Sequence, residues 1–252
     1  MSHYLYRKAE NYNIVMENLQ NKVAYITGGT KGIGFGIALK LLEQGMRVAI
    51  SGRTREGVSS AAEKLGHPDS VLPVVSQVSD PYQEIKAVQQ ILDRWGSLDV
   101  VVANAGVGHF SAVDELSVES WKEMIDVNLS GVFYTLRAAV EALKASKGYY
   151  FTIASLAGTN FFSKGAGYNA SKFGVVGFTQ AAMLDLRPFD IKVTTIMPGS
   201  VATHFNDNQP GAKDAWKIQP EDLGELVVDL LKMPARTLPS KVEVRPTRPD
   251  KK

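Results

Sequence analysis

The sequence predicts an α/β fold: a single domain built on one parallel sheet whose two faces are covered by helices. Three observations carry this. Short apolar, β-branched runs alternate with stretches of helical periodicity, the pattern of strands joined by right-handed helical crossovers. The first run passes directly into a glycine-rich turn and then a helix. The length of 252 residues, with 44% hydrophobic and 21% charged residues, suits one large core.

Val23 to Thr27 is the first strand. Gly28, Gly29, Thr30, Lys31, Gly32, Ile33 and Gly34 form the turn, after which apolar residues recur at helical spacing through Leu42. Glycines at 28, 32 and 34 let the backbone turn tightly and lie against a pyrophosphate, whose charge suits the amides and dipole of a helix start. The spacing is not GxGxxG, so an ordinary strand-to-helix turn is the plainer alternative. Gly45 closes the helix, and Arg47 to Ser51 is the second strand. Ser51, Gly52 and Arg53 follow, with no carboxylate to bind the ribose hydroxyls of NAD. Arg53 and Lys31 therefore favour NADP(H), unless both are merely solvated loop charges.

Thr54 to Leu65 reads as a helix ended by Gly66, Val71 to Val75 as a strand, and Asp80 with Pro81 as the cap of a helix reaching Trp95. Leu98 to Ala103 is the fourth strand, ending in Ala103, Asn104, Ala105 and Gly106, small enough for a flat ring to lie on the backbone. Ser117 caps a long helix expected over about 121 to 145. Asn128 falls inside it, a poor position for asparagine, which is either tolerated there or holds a water or diverts a carbonyl. The fifth strand lies within Tyr149 to Ala154, the sixth spans Ile191 to Ile196, and Val242 to Arg245 is a last strand.

Composition excludes several functions. A net charge of +2 with dispersed basic residues argues against a nucleic-acid patch or a polybasic membrane anchor. The absence of cysteine excludes disulfides and thiolate metal sites, and His3, His67, His109 and His204 have no metal-ligand spacing, so no metal is expected. The first twenty residues lack an apolar segment of signal-peptide length and no later stretch approaches a membrane span, so a cytoplasmic protein is expected. Residues 1–20 read as a poorly ordered extension without assigned chemistry, Met16 preceding the first strand, and 21–250 as the domain.

The chemistry concentrates between Ser155 and Lys172. Ser155 stands where the fifth strand gives way to small residues, and Tyr168 and Lys172, four apart, share a helix face. An ammonium beside a phenol favours the phenolate, tuning the tyrosine to trade protons near neutrality. A serine hydroxyl donates to a carbonyl oxygen while the tyrosine protonates it, and a cofactor must bring the hydride. The spacing alone is weak: Tyr4 with Lys8 and Tyr82 with Lys86 match it equally.

Taken together, Thr27 to Gly34, Asn104 to Gly106, Asn128, Ser155, Tyr168 and Lys172 resemble the short-chain dehydrogenase/reductase family in order and spacing, over roughly residues 21 to 203. Pro198, Gly199, Val201 and Thr203 extend the likeness, resembling the loop on the nicotinamide side. The resemblance implies a three-layer, doubly wound Rossmann-type domain of about seven strands. It also implies a catalytic set of Asn128, Ser155, Tyr168 and Lys172, with the tyrosine as general acid, the serine orienting the carbonyl, the lysine lowering the tyrosine pKa and binding ribose, and the asparagine holding a relay water. The implied cofactor site comprises Gly28, Thr30, Lys31, Gly32, Ile33, Gly34, Arg53, Gln77, Val78, Asn104, Ala105, Gly106, Tyr168, Lys172, Pro198, Gly199, Val201 and Thr203. A homodimer or homotetramer packed through the long helices is implied as well.

The chain departs from the family pattern at Gln77, where aspartate is common, at Ala103, where asparagine is common, and in a proline-containing rather than glycine-rich tail. The polar segment 203–219 reads as a substrate lid. His109, Phe110, Leu156, Phe161, Phe162 and Phe205 are the candidate substrate contacts, although loop aromatics serve packing as readily. The expected activity is NADP(H)-dependent interconversion of a small carbonyl compound and its alcohol, a 3-oxoacyl thioester reductase being one assignment. The alternative is a protein that binds NADP(H) without turnover.

Overall fold

The computed structural model describes residues 18–248. Seven strands, β1 (Val23–Ile26), β2 (Arg47–Gly52), β3 (Val71–Val75), β4 (Val100–Ala103), β5 (Tyr149–Ile153), β6 (Lys192–Pro198) and β7 (Lys241–Val244), form one sheet in the order β3-β2-β1-β4-β5-β6-β7. Every pair is parallel. The chain winds outward from β1 to β3, then crosses back to lay β4 on the other side of β1. That reversal leaves a crevice beyond the carboxyl ends of β1 and β4, where such sheets bind ligands.

Among the described residues, seven α-helices accompany the strands: α1 (Gly32–Glu43), α2 (Arg55–Leu65), α3 (Pro81–Trp95), α4 (Val118–Ile125), α5 (Gly131–Ser146), α6 (Ala166–Leu186) and α7 (Pro220–Lys232). Their starts follow the local chemistry. Thr54 accepts from Gly57 N, Asp80 from Tyr82 and Gln83 N, and Ser117 from Ser120 N. Gly96 ends α3 at φ +75°, a left-handed position that glycine takes without strain.

Strand residues alternate between two cores, one on each face of the sheet. Ala24, Ile26, Val48, Ile50, Val100 and Val102 pack under α1 and α7, whereas Val23, Tyr25, Ala49, Val101 and Ala103 face α3, α5 and α6. Burial on both faces is why these strands read as continuous apolar runs. Leu19 belongs to the first core, so the domain's packing begins before residue 21. Residues 1–17, most of the expected extension, lie outside the described residues.

One expected element is different. The single helix over 121 to 145 is broken into α4 and α5 by a wide π turn, Asp126–Ser130, with Asn128 at its centre. Gly131 then opens α5 against Val78; a Cβ at 131 would meet that side chain at 2.9 Å. Strand boundaries shift as well: β4 starts at Val100, β6 runs on to Pro198 and the last strand is Lys241–Val244 rather than 242–245.

Candidate active site

The glycine turn is pinned from β4. The Thr27 hydroxyl accepts from Asn104 N at 3.0 Å and Ala105 N at 3.1 Å, while the Asn104 amide donates to the carbonyls of Thr27 and Gly28 at 2.9 and 3.1 Å. Asn104 is thus a tie between two loops. Gly28 and Gly32 adopt φ +62° and +57°, which L side chains rarely tolerate. A Cβ at Gly34 would lie 2.5 Å from the Asn104 amide nitrogen and 2.7 Å from Gly28 O. Lys31 precedes α1 without a side-chain cap, so the first amides of that helix are left for an incoming anion.

Beyond these loops lies a cleft of about 760 Å³. Its lining brings together Gly28, Thr30, Lys31, Gly32, Ile33, Arg53, Gln77, Val78, Asn104, Ala105 and Gly106 with Ser155, Tyr168, Lys172, Pro198, Gly199, Val201, Thr203 and Phe205. Gly34 and Asn128 are buried beside it instead. Lys31 and Arg53 are exposed at one end, and among the described residues neither forms a salt bridge. Gln77 Nε2 donates to Ser79 Oγ. Sequence reasoning missed Ser76 at the end of β3 and the α4 face carrying Glu119, Lys122 and Glu123, continued at Asp126, all of which line the cleft. Their helical spacing was the available signal. The open space, the positive-φ glycines and the uncapped helix start together fit a nicotinamide dinucleotide.

Ser155 leaves β5 in an extended conformation, and its Oγ accepts from Ala157 N at 3.1 Å. Tyr168 occupies the first turn of α6, with Lys172 one turn further. The Asn169 amide donates to Ala157 O at 2.6 Å and Asn160 O at 2.7 Å, fastening the serine loop to the helix that bears the tyrosine. Lys172 Nζ donates to Ile153 O at 3.0 Å and lies 5.7 Å from the centroid of the Tyr168 ring. Fully buried Asn128 clamps the loop after β4, accepting from Val107 N at 2.8 Å and donating to Val107 O at 2.9 Å and Ser171 Oγ at 3.0 Å. The π turn is what aims that amide inward.

The expected tuning of the phenol is not what this geometry gives. Burial pushes Tyr168 up to about 12, with the hydrogen bond to Ser155 as the opposing effect. Burial also pulls Lys172 down to about 8. Both groups are desolvated together, and withdrawal from water disfavours phenolate and ammonium alike. At neutral pH the phenol keeps its proton.

The candidate substrate residues divide. Phe110 and Phe205 pack against Tyr168, with Phe162 behind Phe110: Phe110 stands edge-on to Tyr168 at 5.4 Å, to Phe162 at 5.8 Å and to Phe205 at 6.4 Å between ring centroids. Phe205 also lies 5.8 Å from Tyr168. Leu156 touches Gly199, where a Cβ would meet it at 3.1 Å. Phe161 turns away, stacked on Phe173 at 5.2 Å. His109 is engaged with Glu123, Nε2 to Oε2 at 2.7 Å.

Comparison with known proteins agrees with this arrangement. The sequence profile described as short chain dehydrogenase matches residues 22–214. An uncharacterized oxidoreductase of Staphylococcus saprophyticus is 34% identical over 235 residues, covering 92% of this chain and all of its own. Among solved structures, an alcohol dehydrogenase of the archaeon Thermococcus sibiricus, complexed with 5-hydroxy-NADP, is 32% identical with a TM-score of 0.85, over 92% of this chain and 100% of its own. A 3-ketoacyl-(acyl-carrier-protein) reductase of Brucella melitensis, complexed with NADH, is 27% identical with a TM-score of 0.82, over 92% and 99%.

Proposed function

From the premise that this chain belongs to the short-chain dehydrogenase family, we propose that it is an NADP(H)-dependent oxidoreductase that interconverts a ketone or aldehyde and its alcohol, with Tyr168 as the proton donor. The observation that carries this is the meeting of Ser155, Tyr168 and Lys172 in the same cleft as the glycine turn.

A nicotinamide bound there supplies or accepts the hydride. The remaining work falls to the chain's own side chains. Tyr168, protonated at neutral pH, delivers its proton to the carbonyl oxygen as negative charge develops on it, and the Ser155 hydroxyl donates a second hydrogen bond to that oxygen. The phenolate left behind is stabilised by the Lys172 ammonium, whose anchor on Ile153 O fixes it one helical turn away. Asn128 holds the backbone at Val107, and hence the wall facing the reacting groups. Lys31 and Arg53, exposed at the far end and without a salt bridge among the described residues, suit a ribose 2′-phosphate, which supports NADP(H) over NAD(H). The neighbouring structures hold one cofactor of each type, so the preference rests on these two cations. Assembly as a homodimer or homotetramer through α5 and α6 fits the exposed Phe133, Phe173 and Leu184 on those helices.

The test is NADPH oxidation across a panel of carbonyl compounds, with Tyr168→Phe as the control. Loss of a proton donor costs about 100-fold or more in turnover and should leave NADPH affinity intact. Near-native turnover in the phenylalanine variant would sink the mechanism. Tight NADPH binding without turnover on any carbonyl would point to a binding protein instead.

A further inference from the structure

We propose that the pocket beside Tyr168 selects neutral carbonyl compounds that carry an aromatic ring, over acyl-chain or anionic substrates of similar size. This deepens the reading of Tyr168 as the proton donor. The observation is a cluster of three phenylalanines from three separate loops, two of them against the Tyr168 ring and the third behind Phe110. Phe110 follows β4, Phe162 follows β5, and Phe205 comes from the segment after β6. Phe110 is the hub, edge-on to the other three rings.

Core aromatics in this protein are fully enclosed, as Tyr25, Tyr150 and Phe151 are. Phe110 and Phe162 instead keep 39% and 47% of their surface open. Phe205 lines the cleft together with Tyr168 and Phe110 stands edge-on to both, so a further ring laid against the phenol gains edge-to-face contacts that an alkyl chain does not. Gly108 is the seat that permits this. A Cβ there would meet Phe205 at 2.6 Å and Phe110 at 3.1 Å, so any side chain at 108 would separate the two rings. Charge is absent from the cluster. Among the described residues, the one cation within reach of any of its rings is Lys172, whose ammonium is already bound to Ile153 O. A carboxylate held against these rings would give up its water for apolar ring surface, with Lys122 and Lys217 on the cleft wall rather than stacked on the rings.

The experiment uses the full chain carrying Tyr168→Phe, saturated with NADPH. That variant keeps the fourth ring and, on the reading above, does not turn over, so calorimetry measures binding alone. Acetophenone, 2-octanone and pyruvate are titrated; the first two have equal carbon counts. Acetophenone should bind about tenfold more tightly than 2-octanone, and pyruvate should be weakest. Adding Phe110→Leu or Phe205→Leu, both of which keep apolar bulk, should reduce the aryl preference about fivefold, with NADPH affinity reporting that each variant is folded. Equal or tighter binding of 2-octanone or pyruvate would overturn the proposal. So would an aryl preference indifferent to both leucine variants. If NADPH absorbance falls in the Tyr168→Phe sample, the proton-donor reading fails, while the ratio of affinities still decides the aromatic one.

Discussion

Replacing Lys172 with methionine should stabilise the free protein at neutral pH while abolishing turnover. The lysine is 4% exposed, and burial lowers it from 10.5 to about 8. Holding it charged at pH 7 therefore costs about 3 kcal/mol. Methionine removes that cost and fills similar volume, but it forfeits the hydrogen bond to Ile153 O, at roughly 1 to 2 kcal/mol. The net gain is about 1 to 2 kcal/mol, or a melting temperature higher by roughly 2 to 6 °C for a chain of this size. The sign must change with pH. Because the folded pKa lies below the unfolded one, the unfolded chain binds more protons between about 8 and 10.5, and wild-type stability rises with pH across that window. Below it the penalty is fully present; above it the penalty is gone and only the lost hydrogen bond separates the two proteins. Thermal melts at pH 7 and pH 10.5 should thus place the variant above wild type at the first and level with or below it at the second. All other titrating groups are common to both proteins. A difference that does not move with pH would refute the reasoning.

Arg53→Asp replaces a cation with a charge that repels a 2′-phosphate, so the NADPH-to-NADH ratio of kcat/KM should fall by roughly 30-fold or more; an unchanged ratio would remove Arg53 from the cofactor assignment. Gly34→Ala drives a methyl into the Asn104 amide and the Gly28 carbonyl. Overpacking of that kind costs about 1 to 3 kcal/mol, and weaker NADPH binding should accompany the lower melting temperature. Light scattering should return a mass of two or four chains, and a charge introduced by Phe173→Glu should reduce it; a monomeric wild type would exclude the expected assembly.

How much could be read beforehand depended on how local the cause was. Strands β1, β2, β4, β5 and β6 are legible because burial on both faces demands largely apolar runs, the edge strand β3 because it is β-branched although half exposed, and α3 because Asp80 and Pro81 specify a helix start on their own. The break at Asp126–Ser130 was illegible. A π turn there depends on Asn128 finding Val107 and Ser171, which lie far away in sequence. The four-residue spacing puts Tyr168 and Lys172 on one helix face, but charge alone leaves out burial, invisible in such a spacing, which raises the phenol and lowers the ammonium. Phe110, Phe162 and Phe205 were named singly; only the winding of the sheet brings their loops together.

The segment between β6 and α7 has a further consequence. A bridge between Val201 and Ile218 clasps its ends, and local hydrogen bonds tie the stretch to itself and to its flanks: Asn208 to Phe205 O, Gly211 N to Asp214, Lys217 to Asp214, Phe205 N to Thr203, and the Gln219 amide to the carbonyls of Asp214 and Lys217. The facing wall, by contrast, is cross-tied by Asn104, Thr27 and Asn128. Phe205 carries the segment's contacts with Gly108, Phe110 and Tyr168, so opening of the proposed lid would part those rings. On the proposed reading the rings that grip a ligand are also the ones that bar its exit, so how long a product lingers and how firmly a substrate is held would be set by the same few contacts.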